Sequence, residues 1–450
     1  MDNNLNLLKT IPLPELTNWS VRYLSDFTFN YNEDFQLISI GEFLIKNKNI
    51  INIQDETVYR RVTVRSNNKG VHLRNTEIGK NIGTKRQYLV NSGQFILSKI
   101  DARNGAMGII PDDLEGAIVT NDFPTFFIDK KRINPQFLLL ITTTKTFIKF
   151  AQSCSSGTTN RQRINIEQFL NIKIPLPNLK AQNKIVTQYK RKIALAERQK
   201  NKARQLAGEI ENYLFDVLGI VKNLGKGVEK GIQSVSYSSI NKWSLDDILK
   251  KNTIKSNKYK LVKIESICSK ITDGTHQTPK YFEDGVVFLS ARNVTKEVID
   301  WNNVKYVSKE ANEQYKKRVN PQINDIFLAK NGTTGVAAIL EENKVFSIYV
   351  SLALLRPLTN LVDPYYLLRV INSEIARIQF FSRLIGIGVP NLHLGEIREV
   401  KVPLPPINIQ KKIAKHISIL KNQINDLSTQ AKENQINAIK EFEQEIFQST

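Results

Sequence analysis

The chain has 450 residues, with 64 Lys and Arg against 43 Asp and Glu, and a formal net charge of +21 at pH 7. This length exceeds what one hydrophobic core normally serves, so several domains are expected. The positive excess favours a polyanionic partner, and we expect a nucleic acid. Two lone cysteines, no signal pattern and no run of about 20 apolar residues argue against a disulfide framework, a structural zinc site and a membrane span. We therefore expect a cytoplasmic protein.

The first predicted elements are short β-type runs: YRRVTV at 59–64, QFILSKI at 94–100 and TFFID at 125–129. A helix is predicted from Asn134-Pro135 onward, because Asn is a favoured N-cap and Pro a favoured first helical residue. Strand and helix patterns that alternate in this way predict a mixed α+β body.

Basic and amide side chains cluster in this first body. Arg, Lys, Asn and Gln match base edges in the major groove, whereas Ser and Thr hydroxyls suit phosphates, so a set of them predicts contact with a duplex. For any single member, ordinary solvated surface is the alternative. The candidates are Arg60, Arg61, Arg65, Arg74, Lys85, Arg86, Thr158, Asn160, Arg161 and Arg163.

A proline-containing segment, IKIPLPNLKAQNKIV at 172–186, then opens into a long helical pattern. Pro175 and Pro177 cannot continue a sheet or a helix, so the helix must begin after them. From Ile185 to Val217 apolar positions recur in steps of four and three, which is the pattern of a coiled coil. A glycine-containing polar linker is predicted between Leu218 and Ile240.

The second half repeats the first. Trp19 and Trp243 lie 224 residues apart, and Pro135 and Pro364 lie 229 apart, as do several strand motifs at similar spacing. VKVPLPPINIQKKIA at 400–414 repeats the proline segment and opens a second helix with a 4-3 seam. The strands VVFLSA, DIFLAK and VSLALLR and the helix PYYLLRVIN complete a second α+β body. A tandem duplication is therefore predicted.

The second body offers its own candidate DNA contacts. They share the same side-chain types as those of the first body, in turns that differ in sequence, so we predict that the two bodies read different sequences. The candidates are Thr272, Thr275, His276, Gln277, Arg292, Asn293, Lys330, Asn331, Asn391 and His393.

Catalytic and metal-binding patterns are weak. Asp112, Asp129 and Lys131 loosely fit the pattern of metal-dependent nucleases, but the second body lacks it. Asn134-Pro135 and Asp363-Pro364 echo a methyltransferase signature without its second proline, and helix capping explains them better. No Gly-rich nucleotide-binding loop occurs, and the four histidines form no sequence cluster. We predict no catalytic residue and no metal site.

The duplicated bodies, the two proline segments and the loops FILSKIDARNGAMG, FLAKNGTTG and ITDGTHQTPKYFEDGVVFLSARNV together resemble the specificity subunit of type I restriction-modification systems. The resemblance covers nearly the whole chain. It also adds Lys99, Arg103 and Asn104 of the first loop to the candidate DNA contacts. In that loop four residues separate the lysine from Asn-Gly, whereas Lys330 directly precedes Asn331.

The resemblance implies two target-recognition domains, each of which reads one half of a bipartite DNA sequence, separated by two helices packed antiparallel. It implies a non-catalytic subunit of a bacterial or archaeal complex. Its partners would be double-stranded DNA, two methyltransferase subunits that use S-adenosylmethionine, and motor and nuclease subunits that use ATP and Mg²⁺, with no cofactor in this chain. The boundaries expected are 1–178 for the first domain, 179–222 for its helix, 223–406 for linker and second domain, and 407–450 for the last helix.

Three alternatives stay open at this point. The chain could serve a related single-complex restriction enzyme or another phage-defence methylation system. It could be a scaffold that binds RNA by shape and assembles through its coiled coil. A nuclease built on Asp112, Asp129 and Lys131 would require divalent metal for cleavage.

Overall fold

The computed structural model describes residues 31–156, 163–223, 234, 237, 253–384 and 391–447. The chain forms two compact units: unit 1 consists of residues 1–198 and 430–450, and unit 2 of residues 199–429. The tryptophan motifs around Trp19 and Trp243, and most of the predicted linker, lie outside the described residues.

Unit 1 combines short strands with helices in chain order. Its strands are β1 (Gln36–Ser39), β2 (Leu44–Lys46), β3 (Ile50–Asn52), β4 (Val58–Arg65), β5 (Gly70–Ile78), β6 (Arg86–Leu89), β7 (Phe95–Leu97), β8 (Met107–Ile109), β9 (Ile118–Val119), β10 (Thr125–Ile128), β11 (Ser155–Ser156), β12 (Arg163–Ile164) and β13 (Lys173–Leu176). Its helices are α1 (Pro135–Thr143), α2 (Lys145–Ser153) and α3 (Ile166–Leu170), followed by the long helix α4 (Leu179–Leu218), which continues into unit 2.

Unit 2 likewise combines short strands with helices and ends in a proline segment and a long helix. Its strands are β14 (Ile220–Asn223), β15 (Thr253–Ser256), β16 (Leu261–Lys263), β17 (Cys268–Asp273), β18 (Val286–Leu289), β19 (Lys305–Val307), β20 (Ile326–Ala329), β21 (Ala337–Ile339), β22 (Phe346–Ile348), β23 (Leu352–Pro357) and β24 (Lys401–Pro403). Its helices are α5 (Lys309–Lys316), α6 (Pro364–Asn372), α7 (Glu374–Phe381), α8 (Leu394–Arg398) and the long helix α9 (Ile407–Ile446), whose last turns belong to unit 1.

The sheet topology confirms the duplication. An antiparallel four-stranded sheet has the order β2-β10-β7-β8 in unit 1 and β17-β23-β20-β21 in unit 2, with the corresponding strands in the same places. We call these the framework sheets. The strand within each proline segment pairs with an early strand of its own body, as β1-β13 and β16-β24. The predicted mixed α+β bodies are thus present in both halves.

A second sheet differs between the units, and we call it the variable sheet. In unit 1 it has five strands in the order β3-β6-β9-β4-β5, whereas in unit 2 it has three, in the order β19-β18-β22. In unit 2 the helix α5 accompanies this sheet and lies near β22. The two units therefore share the strand order of the framework sheet and differ in the variable sheet.

The two long helices run antiparallel. In unit 1 the ammonium group of Lys192 on α4 pairs with the carboxylate of Glu441 on α9. In unit 2 the ring of Tyr213 on α4 lies 4.3 Å from the ring of His416 on α9. Partner numbers on α9 fall as those on α4 rise, which is the antiparallel sense. The positions of the predicted 4-3 seam are buried or half-buried, and the buried ones include the alanines Ala196, Ala203, Ala431 and Ala438.

Each body packs its core against both helices. The core of unit 1 includes Ile185 and Val186 from the start of α4 and Phe442 from the end of α9, whose ring meets Phe137 of α1 edge to face at 5.9 Å. The core of unit 2 includes Leu214 from the end of α4 and Ile413 from the start of α9. Helix burial of this kind, more than helix propensity, stabilises these long elements.

The start of each long helix is fixed by a buried glutamine. Gln182 accepts from the backbone N–H of Asn134 at 2.7 Å and donates to the Pro177 carbonyl at 2.8 Å. Gln410 repeats this arrangement with Asp363 and Pro405, at 2.8 Å for both bonds. Each glutamine thereby ties its proline segment to the N-terminus of α1 or α6.

Two local predictions are refined. Asn134 and Asp363 do cap helices, since their side chains accept from the backbone N–H groups of Gln136 and Tyr366. The helix predicted after Asn134 is divided into α1 and α2, because Thr144 leaves the helical conformation and caps the second one. The central helix ends at Leu218, before residue 222, because Gly219 adopts a left-handed φ of 62° and β14 follows.

Candidate nucleic-acid interface

In each unit two loops meet where an inner strand of the framework sheet ends, and we call this place the framework edge. In unit 1 the carbonyl of Lys99, after β7, accepts from the N–H of Ile164 at 2.8 Å. In unit 2 the carbonyl of Lys330, after β20, accepts from the N–H of Leu392 at 2.9 Å. The candidates near Lys99 are therefore brought beside Arg163, and those near Lys330 beside Asn391 and His393. The sequence separates the members of each pair by about sixty residues.

The unit 1 edge is strongly cationic. Burial lowers the pKa of the Lys99 ammonium; Asp122 counteracts this, while Lys46 and Arg163 lower it further. Arg163 is exposed and its guanidinium lies 3.3 Å from the Asp122 carboxylate. Three cations and one acid thus interact around Lys99, and an excess of positive charge of this kind attracts phosphate oxygens.

The hairpin formed by β4 and β5 carries four of the predicted arginines. Arg65 and Arg74 are exposed, and Arg74 stands at a β-bulge in the hairpin. Arg61 is half-buried. Arg60 donates to the carbonyl of Asp113 at 2.6 Å and to that of Glu115, so it supports a neighbouring turn. The structure therefore places all four arginines on strands, and two of them, Arg60 and Arg61, lie in the predicted run YRRVTV.

The tip of this hairpin is joined to the loop that holds Arg103 and Asn104. The N–H of Asn67 donates to the Asn104 carbonyl at 2.7 Å, and that of Asn68 to the Gly105 carbonyl at 3.2 Å. A Cβ at Gly105, where φ is 76°, would lie 2.3 Å from the Asn68 side chain. Only glycine fits there, which keeps Asn104 exposed next to the hairpin.

The remaining candidates of unit 1 have different settings. Lys85 pairs with the Asp55 carboxylate at 2.6 Å and donates to the Gly79 carbonyl at 2.8 Å, so its ammonium group already has local partners. Arg86 is exposed on β6. Thr158, Asn160 and Arg161 lie outside the described residues.

In unit 2 an ionic cluster is built around Asp273 at the end of β17. The Asp273 side chain is 3% exposed, and its carboxylate accepts from Lys330 Nζ at 2.6 Å and from Arg318 Nη2 at 2.5 Å. His276 Nε2 lies 3.2 Å from the same carboxylate. Burial by itself would raise the pKa of Asp273, but the hydrogen bonds and charge of Lys330, with those of Arg318 and His276, hold it below its usual range.

Two predicted contacts of unit 2, Asn293 and Lys330, have side chains with internal partners. Asn293 is buried; its carbonyl oxygen accepts from the Ser290 N–H at 2.9 Å and its amide donates to the carbonyl oxygens of Asp300 and Asn303. It holds a turn together. Lys330 has a side chain only 5% exposed, and its ammonium is committed to Asp273. Neither can reach a duplex without leaving these partners.

The other candidates of unit 2 occupy loops of the same region. His276, Gln277, Arg292 and His393 are exposed, whereas Thr272, Thr275, Asn331 and Asn391 are half-buried. Asn391 Oδ1 is buried without a hydrogen-bond partner among the described residues.

Sequence reasoning missed Arg318 and an aromatic group on the variable sheet. Arg318 closes the basic run Lys316-Lys317-Arg318, which could have been noticed. Its approach to Asp273, 45 residues earlier, has no sequence signal. Tyr281 is 38% exposed with Lys305 Nζ 3.9 Å from its ring centre, and Phe282 is 43% exposed beneath Lys280. Aromatic faces with adjacent cations suit nucleobases.

The acidic residues proposed for a nuclease have local roles. Asp129 accepts from the backbone N–H of Lys131 at 3.0 Å, which is a turn contact, and Asp112 accepts from the Ser92 hydroxyl. Among the residues that the structure describes, no group of three or more His, Cys, Asp and Glu side chains could hold a metal ion. In the same part of the chain, no helix is long and apolar enough to cross a membrane.

The chain is similar to known proteins in sequence and in fold. A family model for the type I restriction modification DNA specificity domain matches residues 32–205 and 247–438. The type I restriction enzyme MjaVIII specificity subunit of Methanocaldococcus jannaschii is 22% identical over 408 residues, 87% of each chain. The type I restriction enzyme EcoBI specificity subunit of Escherichia coli is 24% identical over 147 residues, 33% of this chain and 31% of that protein. A chain solved in a study of complex assembly and conformational transition of the type I R-M system is 16% identical with a TM-score of 0.57, over 92% of this chain and 97% of that one. This last likeness concerns the fold alone.

Proposed function

Because this chain belongs to the family of type I restriction-modification DNA specificity subunits, we propose that each of its two units reads one half of a bipartite duplex sequence. Specificity subunits are the non-catalytic members of restriction-modification complexes. The observation that carries the proposal is the contrast between the sheets: the framework sheets share one strand order, whereas the variable sheets differ. A shared framework with different reading layers is what two different half-sites require.

The reading surface of each unit is formed by its exposed cations and amides. In unit 1 we assign contacts to Arg65, Arg74, Arg103, Asn104 and Arg163, which are exposed or half-buried near the hairpin and the framework edge. In unit 2 we assign them to His276, Gln277, Arg292 and His393. Base contacts would come from amides and arginines, and phosphate contacts would supply most of the affinity.

The functional domains we propose are 1–178 and 223–406, with 179–222 and 407–450 as the spacer. Helices α4 and α9 have 40 residues each, about 60 Å of helix. A spacer of fixed length sets the number of unread base pairs between the half-sites. Half-sites about 34 Å apart would present the same face of the duplex to both units.

The partners we propose are two methyltransferase subunits and the motor and nuclease subunits of a type I complex. In this assignment S-adenosylmethionine, ATP and Mg²⁺ are bound by those partners. This chain determines which DNA sequence the complex recognises, in a bacterial or archaeal cytoplasm. A related single-complex restriction or methylation system is the second candidate. Neighbouring genes would separate the two, since they encode different partners.

The decisive experiment maps methylated adenines in a host that expresses this chain with its methyltransferase subunits and has no other adenine methylation. We expect one bipartite motif with an unread spacer. Replacing residues 36–176 by the corresponding segment of another specificity subunit should change one half-site and leave the other unchanged. If both half-sites change together, or the motif is continuous, the assignment of one half-site to each unit is wrong.

Binding measurements test the nucleic acid itself. The logarithm of the duplex association constant should fall with the logarithm of salt concentration at a slope of about 0.9 per phosphate neutralised. A flat response would contradict phosphate contacts. Duplex DNA should compete more strongly than duplex RNA of the same length, and the reverse order would favour the RNA-binding scaffold.

A further inference from the structure

Arg318 stands out among the exposed cations of unit 2 because a buried acid holds it. Its Nε donates to the backbone carbonyl of Asp273 at 2.9 Å, and its Nη2 donates to the Asp273 carboxylate at 2.5 Å. The arginine side chain is nevertheless 51% exposed. The guanidinium group is therefore fixed along one edge and open to solvent along the other.

The anchor itself is rigid. Asp273 is 3% exposed and is also held by Lys330, whose side chain is 5% exposed. Gly274 follows it, and a Cβ there would lie 1.9 Å from the Ile348 carbonyl, so the backbone next to Asp273 is packed tightly against the variable sheet. A guanidinium bound to such a support loses little further conformational entropy when it binds a ligand.

The open edge has the geometry of a base-reading group. Arginine has five N–H donors in a planar fork; Asp273 takes Nε–H and one hydrogen of Nη2. Among the described residues Nη1 has no hydrogen-bond partner, and the second hydrogen of Nη2 meets only the exposed His276 ring, whose Nε2 lies 3.5 Å from Nη2, at the limit of hydrogen-bond distance. Two parallel donors match the O6 and N7 acceptors of guanine in the major groove.

Unit 1 presents an arginine from a different position. There Arg163 lies 3.3 Å from Asp122, and the two side chains are 59% and 37% exposed. That acid precedes β10, the second strand of the framework order, whereas Asp273 ends β17, the first strand of the corresponding order. Because Arg163 and Arg318 occupy different positions relative to the framework sheet, they would contact base pairs at different positions of their half-sites.

We infer that Arg318 is a specificity-determining residue of unit 2 that contacts a guanine of its half-site, and that Asp273 is the positioning residue that aims it. This inference rests on the proposed function, because it requires that unit 2 reads one half-site. It concerns one base pair, so it can fail while the bipartite assignment stands.

The test selects binding sites from a randomised duplex with the full chain in complex with its methyltransferase subunits. The wild type should select two half-sites, one of which contains the guanine. Arg318→Ala should reduce the preference for guanine at that single position by about 5-fold to 150-fold, the range of a good bidentate contact. Compared with Arg318→Ala, Arg318→Lys should restore the affinity for duplex DNA more than the preference for guanine, because an ammonium group lacks the planar fork.

Two controls separate base contact from charge and from folding. Lys317→Ala removes a neighbouring exposed cation whose ammonium donates to the Gln314 side chain at 3.0 Å, and it should leave every base preference unchanged. Asp273→Asn combined with Lys330→Met leaves no charge buried; it should weaken the guanine preference although Arg318 is intact. The positioning role then shows in specificity and not only in stability.

The outcomes are distinguishable. If Arg318→Ala lowers affinity equally for all sequences and reduces the salt slope by about one phosphate, Arg318 contacts the backbone and the inference is wrong. An unchanged selection profile would also overturn it. If the wild type selects no bipartite site at all, the proposed function itself fails.

Discussion

Replacing Gln410 by alanine tests whether the duplicated glutamine holds each body to its long helix. Gln410 is fully buried and makes three bonds: it accepts from the Asp363 N–H at 2.8 Å and donates to the carbonyls of Pro405 and Leu361 at 2.8 and 3.1 Å. Each bond contributes about 1 kcal/mol net, so the loss should be about 3 kcal/mol. This corresponds to a factor of about 150 in the local opening equilibrium.

Hydrogen exchange followed by mass spectrometry measures this opening directly. In Gln410→Ala, peptides that contain the Asp363 amide should exchange up to about 150-fold faster, because that N–H has lost its acceptor. Gln182→Ala should have the same effect on the Asn134 amide of unit 1. The change should stay within the unit that carries the substitution.

The matched control is Gln423→Ala, which replaces an exposed glutamine on the same helix. It makes the same change in side chain without removing a buried bond, so exchange at Asp363 should match the wild type. If Gln410→Ala and Gln423→Ala give the same exchange rates, the glutamine does not stabilise the proline segment and our reasoning is refuted.

Three further predictions concern buried groups. Tyr366→Phe should destabilise unit 2 by about 1 to 2 kcal/mol in urea unfolding, because the buried hydroxyl donates to the Pro403 carbonyl at 2.8 Å, whereas Tyr365→Phe should cost less. Burial raises the pKa of Cys154 to about 11 and that of Cys268 to about 12, so neither thiol should react with a disulfide reagent at pH 8 until the protein is denatured, and a rapid native reaction would contradict this. Gly274→Ala should disrupt unit 2 in exchange experiments, since its Cβ would lie 1.9 Å from a carbonyl oxygen, whereas Gly208→Ala, in open space on α4, should stabilise that helix by up to about 1 kcal/mol; equal effects would refute the steric argument.

The sequence predicted the repeated parts of the structure well. Proline segments end strands and begin helices for local reasons, and the 4-3 seam marks the buried side of a long helix, so α4 and α9 could be placed from the residues alone. The helix caps at Asn134 and Asp363 could likewise be predicted, because a cap acts on the N–H groups two or three residues away. Because of the duplication, each of these features could be predicted in both halves of the chain.

The settings of the candidate contacts could not be predicted from the sequence, because side-chain type does not reveal burial. Asn293 and Lys330 have the right chemistry for DNA, yet one holds a turn and the other neutralises Asp273. Arg318 was overlooked because its partner lies 45 residues away in the chain. Burial and partnership are decided by which strands pair, and pairing depends on contacts that no local pattern records.

The amino-acid sequence by itself determined the two-body plan, the family resemblance and the positions of the long helices, since these follow from repetition, periodicity and proline geometry. Only the tertiary structure decided that the variable sheets differ between units and that Asp273 brings Arg318, His276 and Lys330 together. The physical reason is the distance along the sequence over which each kind of interaction acts. Caps, turns and helix seams act over a few residues, whereas a cationic edge assembled from distant loops exists only after the framework sheet has formed.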